Sequence, residues 1–139
     1  MTKASWAMLA VGLIMGAALT SLRAADATPA RVFELRTYHT FPARLDALHQ
    51  RFRDHTRRVF EKHGMTNIGY WVPQDAPAHD NTLVYVVSPA SRDQAKANWA
   101  AFMADPEWQK ISADSQKDGK IVERVESVYL DATDYSAIR

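Results

Sequence analysis

The segment Thr82–Ser88 (TLVYVVS) constrains the fold more than any other part of the chain, because five apolar residues follow one another in it. Successive side chains of a strand point to opposite faces of a sheet, so this segment predicts a strand that is apolar on both faces. A strand of this kind belongs in the interior of a sheet. The rest of the sheet must therefore be arranged around it.

Three further strands are predicted by alternation of apolar and polar residues. Residues 31–38 (RVFELRTY) alternate with the period of a strand, and residues 66–72 (TNIGYWV) and 121–130 (IVERVESVYL) have similar character. In the first of these strands, Glu34, Arg36 and Tyr38 share one face with Val32. Residues 73–81 are polar and contain two prolines, which indicates a loop before the central strand.

Three helical segments are indicated by periodicity and by capping residues. Residues 42–63 carry apolar side chains near the 3.6-residue period, with a gap at His55 and Thr56. Ser91 begins a capping box for a second helix, and Asp105 before Pro106 indicates the N-cap of a third, so that the second helical region is broken in two. The second helix is predicted to direct three large apolar residues inward: Trp99, Phe102 and Met103.

The resulting order, β-α-β-β-α-β, predicts a ferredoxin-like α+β sandwich. Right-handed crossovers fold this order into a four-stranded antiparallel sheet with both helical regions on one face. The strand order 4-1-3-2 places the first and third strands in the centre, as the apolar third strand requires. A chain of 139 residues has room for one such domain.

The first 24 residues have the features of a secretory signal peptide. Lys3 precedes an uncharged apolar run over residues 6–19, and small residues follow at Ala24, Ala25 and Ala27. Cleavage after Ala24 and cleavage after Ala27 are both compatible with this pattern, and an uncleaved membrane-surface anchor is the alternative to cleavage. We expect the mature protein to be exported, to a periplasmic or extracellular location.

Composition excludes several classes of function. The chain has no cysteine, so it can form no disulfide, thiolate metal site or lipoprotein anchor. Cleavage after Ala24 removes Lys3 and Arg23, which leaves 15 basic against 16 acidic residues and no general attraction to nucleic acid. No glycine-rich phosphate loop or G-x-S-x-G elbow occurs. The five histidines lack a metal-ligand spacing, and no metal or other cofactor is predicted.

The sheet face that helices leave bare is expected to be covered by a second copy of the chain. We assign the polar ladder Glu34, Arg36 and Tyr38 to this face, together with aromatic residues of the second and third strands (Tyr70, Trp71, Tyr85). Exposed in a monomer, these aromatic residues would form a large apolar patch. A homodimer that encloses a partly charged cavity is therefore predicted.

Two interpretations of the ladder are open at this stage. Glu34 and Arg36 either bind a polar ligand, with Tyr38 as hydrogen-bond donor, or form an internal ion pair that neutralises two buried charges. Arg124 and Glu126 share one face of the fourth strand, and they could complete a four-member network with Glu34 and Arg36. Trp99, Phe102 and Trp108 have the spacing of a helix core, which we favour over an aromatic ligand box.

Several segments agree in order and spacing with one known family. The stretches FELRTY, PARLDALHQRFRDHT, FEKHGMTNIGYW, TLVYVV, WAAFMADPEWQ and VESVYL resemble the NIPSNAP family, and the resemblance spans the domain at residues 31–135. It implies a ferredoxin-like fold of the dimeric α/β-barrel superfamily. It implies no defined catalytic activity.

Two functional hypotheses follow from different classes. The first is a dimeric NIPSNAP-domain module that binds a small ligand or a protein partner without catalysis. The alternative is a cofactor-independent monooxygenase or a haem-using oxidoreductase of the dimeric α/β-barrel superfamily. The superfamily resemblance then implies a substrate between sheet and helices, within reach of Tyr70, Trp71 and His55.

Overall fold

The strands and helices follow the order predicted from the sequence. The computed structural model describes residues 31–139, and the leader predicted for residues 1–24 lies outside them. The elements are β1 (Val32–Thr40), α1 (Leu45–Arg51), a π-helical turn (Phe52–Thr56), α2 (Arg57–Lys62), β2 (Thr66–Trp71), a 3₁₀ turn (Ala78–Asp80), β3 (Thr82–Ser88), α3 (Arg92–Ala104), α4 (Pro106–Ser115) and β4 (Val122–Asp131).

The four strands form one antiparallel sheet in the order β2-β3-β1-β4, which is the predicted order. β3 lies in the centre because both of its faces are apolar, and five of its seven residues are buried. It pairs with β1 in a register that places Arg36 opposite Tyr85 and Leu35 opposite Val86. The ferredoxin-like α+β sandwich is therefore confirmed.

The polar ladder of β1 lies on the opposite face from the one predicted. Tyr85 of β3 belongs to the core under the helices, and Arg36 is its direct neighbour across the strands. Tyr38 packs edge-on against Phe52 of the helical region, with ring centroids 6.0 Å apart. Assigning the ladder to the bare face was wrong, because the period of a strand shows which residues share a face and not which face the helices cover.

The core between sheet and helices is built on aromatic contacts. Tyr85 and Phe60 are fully buried and stack with centroids 5.8 Å apart. Phe52 packs against both of them, and Phe102 of α3 lies 5.0 Å from Phe60. This cluster fixes the distance between the sheet and the helices, and therefore fixes the walls of any cleft between them.

The first helical region differs from a regular helix in two places. It begins at Leu45 and not at residue 42, because Ala43 has a positive φ of 59° that a right-handed helix does not contain. The gap in periodicity at His55 and Thr56 corresponds to the π-helical turn, where the Thr56 hydroxyl donates a hydrogen bond to the Arg51 carbonyl over 3.1 Å. Across residues 31–139, no helix combines the length and the apolar character needed to cross a membrane.

Asp105 is the N-cap of α4, as predicted from the sequence, and it also contacts the end of α2. Its Oδ1 accepts a hydrogen bond from the Glu107 backbone N–H over 2.8 Å at the start of α4. Its Oδ2 accepts one from Lys62 Nζ over 2.7 Å and lies 2.7 Å from His63 Nε2 at the end of α2. The pKa of Asp105 is lowered, chiefly by the hydrogen bonds from Lys62 and His63. The start of α4 is thereby fixed against α2.

Candidate ligand cleft

A cleft of about 420 Å³ opens between the sheet and the helices α3 and α4. Its walls are aromatic side chains of the two helices, and its floor carries charged and hydroxyl groups of β1 and α1. Met103 and Val125 lie at its rim and are 60% and 40% exposed. The prediction that Met103 points inward was therefore wrong, since it borders the opening of the cleft. The main lining residues are Arg36, Tyr38, Arg51, Trp99, Phe102 and Trp108.

Glu34 lies beneath the cleft and is occupied on both carboxylate oxygens. Its Oε1 accepts hydrogen bonds from Arg36 Nη1 and from Ser127 Oγ, each over 2.6 Å. Its Oε2 accepts one from Trp99 Nε1 over 2.6 Å. Glu34 is 1% exposed, so the carboxylate is a buried structural acceptor. Of the two interpretations of the ladder, the internal ion pair describes Glu34 and Arg36.

Arg36 has a buried donor, its Nε, that this ion pair does not use. Its guanidinium lies 4.1 Å from the Trp99 ring centroid, a stacked arrangement that favours a cation. Burial alone would lower the pKa of Arg36, but Tyr38 and Tyr85, which are ionised at the high pH at which an arginine titrates, and the Glu34 carboxylate outweigh burial and raise it. Its Nε is buried and has no hydrogen-bond partner among residues 31–139.

Arg51 is a second cleft cation, and it is not among the site residues predicted from the sequence. It is 6% exposed at the end of α1, and its guanidinium lies 5.3 Å from the Trp108 ring centroid. Its nearest polar contact is a long hydrogen bond of 3.4 Å to Ser115 Oγ, and its Nε has no partner within the described part of the chain. Burial lowers the pKa of Arg51. An arginine nevertheless stays charged at neutral pH, so Arg51 is a buried cation that forms no ion pair with a carboxylate of residues 31–139.

Two tyrosines of the sheet lie at the cleft or beneath it. Tyr38 lines the cleft with Arg36 and Arg51, and Tyr85 lies opposite Arg36 in the strand register, with its ring centroid 5.2 Å from that of Tyr38. The Tyr85 hydroxyl is buried and, within residues 31–139, has no hydrogen-bond partner of suitable geometry. Burial raises the pKa of Tyr85 well above its ordinary value, so it stays protonated and can donate.

Three predicted site residues lie on the other face of the sheet. Arg124 and Glu126 pair with each other, opposite His39 and Thr37 of β1 and away from Glu34 and Arg36. The predicted four-member network was wrong, because the register of β4 brings Ser127 to Glu34 instead. Trp71 is 53% exposed on this same bare face.

The two remaining predicted site residues lie outside the cleft. Tyr70 stacks on Tyr85 with centroids 5.4 Å apart, but its hydroxyl donates to Asn67 at the outer edge of β2. His55 is exposed in a groove of about 480 Å³ between α1 and α4 that also contains Lys110 and Asp114. Of the predicted set, Arg36 and Tyr38 therefore line the cleft, and Glu34 and Tyr85 are buried beneath it.

The arrangement is suited to binding. The cleft floor presents donors and positive charge, and its walls present aromatic rings. The cleft-lining residues of the described chain include no histidine, and the carboxylate beneath them has all its oxygens engaged. Within residues 31–139, no group of three acidic or histidine side chains is placed to hold a metal ion.

Comparison with known proteins agrees with this fold. A NIPSNAP family protein with unknown function from Agrobacterium tumefaciens is 22% identical, with a TM-score of 0.68 over 79% of this chain and 95% of that chain. A NIPSNAP-like domain protein from Burkholderia xenovorans is 20% identical, with a TM-score of 0.66 over 77% and 89%. A second Agrobacterium tumefaciens NIPSNAP family protein is 20% identical, with a TM-score of 0.67 over 78% and 99%.

These structures show a shared fold. Among curated proteins, none matches the chain. The NIPSNAP family model matches residues 33–137, which confirms the resemblance found in the sequence and covers most of the chain. The chain therefore belongs to the NIPSNAP family.

Proposed function

We propose that this protein is an exported, dimeric module that binds a small molecule in the cleft between its sheet and its helices. The observation that carries the proposal is the cleft itself, whose volume of about 420 Å³ falls within the range of small-molecule sites. Trp99 and Trp108 line it with half-buried rings, and the buried Phe102 packs against Trp108 with ring centroids 4.4 Å apart. An open aromatic surface of this kind gains free energy when a ligand covers it.

Filling the mouth of the cleft tests this proposal. Val125→Trp places a large ring at the rim and is expected to weaken ligand binding by at least about tenfold, because it occupies the entrance without disturbing the core. The retained small molecule can be detected by native mass spectrometry of the full chain. A neutral aromatic probe, 2-naphthylmethanol, can be titrated by quenching of tryptophan fluorescence.

The matched control is Ala100→Trp, which adds the same ring at an exposed position of α3 outside the cleft. It should bind as the unmodified protein does. Equal binding by the Val125 variant and the unmodified protein would place the ligand elsewhere and contradict the proposal.

The dimer in this proposal is supported by the bare face of the sheet. Trp71, Val128 and Leu130 are 53%, 53% and 42% exposed there. A shallow groove of about 310 Å³ runs between Trp71 and Leu130. Exposed apolar surface of this kind marks an association site. A two-fold axis would place the same apolar strip of each subunit against the other, as the dimeric-barrel resemblance implies.

A charge in the middle of this face should separate the subunits. We expect the unmodified protein to have the mass of a dimer at about 10 μM in light-scattering chromatography. Val128→Lys should raise the dimer dissociation constant at least about tenfold, because an unpaired ammonium would be buried in the interface. Ala100→Lys, on the outer side of α3, should leave the dimer intact. A stable monomer at high concentration would contradict this part of the proposal.

Export is proposed from the leader alone. Expression of the full chain in a Gram-negative host should yield periplasmic protein that lacks residues 1–24 or 1–27. Intact mass distinguishes the two cleavage sites. A full-length product retained at the membrane would indicate the anchor instead.

A further inference from the structure

We infer that the ligand of this cleft is a small aromatic or apolar molecule with a carboxylate, and that Arg51 binds the carboxylate. The inference rests on the proposed function and adds the chemical class of the ligand to it. It also assigns to Arg51 a role that the family resemblance does not supply.

Charge is the first argument. The cleft contains two guanidinium groups, and among residues 31–139 the only carboxylate paired with either is Glu34, which lies 2.6 Å from Arg36. Arg51 is buried, and within the same residues its guanidinium hydrogen-bonds to a hydroxyl and lies near an aromatic ring. A buried charge without a counter-ion is costly. A singly charged anion in the cleft would balance it.

The unused donors are the second argument. Arg36 Nε and Arg51 Nε are buried and lack a partner in the described part of the chain, and both arginines line the cleft. Guanidinium nitrogens can only donate. The two oxygens of a carboxylate suit guanidinium geometry, so a carboxylate is the acceptor that fits these side chains.

The walls of the cleft restrict the rest of the ligand. The indole rings of Trp99 and Trp108 lie against the guanidinium groups of Arg36 and Arg51, and Phe102 packs against both indoles. The polar groups lie at the floor, whereas Met103 and Val125 form an apolar rim. The ligand would therefore place its carboxylate deep in the cleft and its apolar body toward the opening.

Two matched probes test the inference on the full chain. 2-Naphthoate and 2-naphthylmethanol share a ring system and differ in charge, and both can be titrated by calorimetry. The unmodified protein should bind the naphthoate at least about tenfold more tightly, because a hydrogen bond to a charged partner is stronger than one between neutral groups. Arg51→Met should remove this preference by weakening naphthoate binding alone.

One further variant shows whether the effect belongs to the cleft. Arg53→Met, at an exposed neighbouring position of the helical region, should bind both probes as the unmodified protein does.

The outcomes distinguish this inference from the proposed function. Equal binding of both probes, lost in Val125→Trp and unchanged in Arg51→Met, would overturn the inference and leave the ligand cleft in place. Binding of neither probe, or binding that Val125→Trp leaves unchanged, would overturn both. Naphthoate binding that depends on Arg51 and on an open rim supports both.

Discussion

Glu34→Gln is expected to lower the free energy of unfolding by about 3–5 kcal/mol, which is the usual cost of removing one partner from a buried ion pair. Glutamine fills the same volume but leaves the Arg36 guanidinium uncompensated in a cleft that already contains Arg51. It also replaces an acceptor of three hydrogen bonds by a group that must present its own donors to Arg36, Ser127 or Trp99. Urea unfolding at neutral pH measures the change, provided that the slope with denaturant stays constant.

Two controls separate burial from charge in this experiment. Asp114→Asn removes the same charge from the Lys110 pair on the surface of α4, where the two side chains are 42% and 78% exposed, and should change the free energy of unfolding far less than Glu34→Gln does. The double variant Glu34→Leu with Arg36→Met should be close to the unmodified protein in stability, because it removes both charges together. A loss below 1 kcal/mol for Glu34→Gln would show that Arg36 can reach solvent.

The fold was predictable because its strongest signals are local. The run of apolar residues in Thr82–Ser88 identifies a central strand. The order of strands and helices along the chain then leaves few ways to place the other three strands of the sheet. Asp105 before Pro106 was enough to locate the break between α3 and α4. The start of the first helix was misplaced because the positive φ of Ala43 has no signature in the sequence.

The placement of the polar ladder failed for a different reason. Glu34 and Arg36 were assigned to the bare face because a polar ladder was expected to line a cavity between two copies of the chain and not to lie under the helices. Their burial depends on Trp99 and Ser127, which lie 65 and 93 residues from Glu34 along the chain. Only the tertiary structure brings these donors to the carboxylate, and without them the same strand would have to turn its charges outward.

Arg51 could have been identified from helical spacing. It lies three residues after Leu48 and directly before Phe52, within the apolar stripe of α1, whereas Arg53, Arg57 and Arg58 fall on the exposed side. The gap in the pattern at the π-helical turn, a feature common at functional sites, was a second signal. The partners of Arg51 could not be predicted from the sequence, because Trp108 and Ser115 belong to a helix that is far away along the chain.

Arg51→Met is expected to raise the free energy of unfolding of the ligand-free protein by about 1–4 kcal/mol, while it weakens naphthoate binding. Methionine keeps an unbranched apolar stem against Trp108, and it removes a charge whose contacts in residues 31–139 include no carboxylate. A residue retained for the architecture of the domain would show the opposite sign, since its removal would cost stability. A gain in stability together with a loss of binding is typical of a residue that is retained for binding although it lowers the stability of the fold.

Urea unfolding of the ligand-free protein, with Arg53→Met as the exposed control, measures this sign. The control should change stability by less than about 0.5 kcal/mol, because its side chain lies outside the cleft. Saturating naphthoate should stabilise the unmodified protein and not the Arg51 variant, so the order of the two stabilities should reverse when ligand is added. If Arg51→Met instead unfolds at lower urea with and without the probe, Arg51 serves the packing of α1 against α4. The unpaired guanidinium would then be a consequence of helix packing, and its charge would no longer support an anionic ligand.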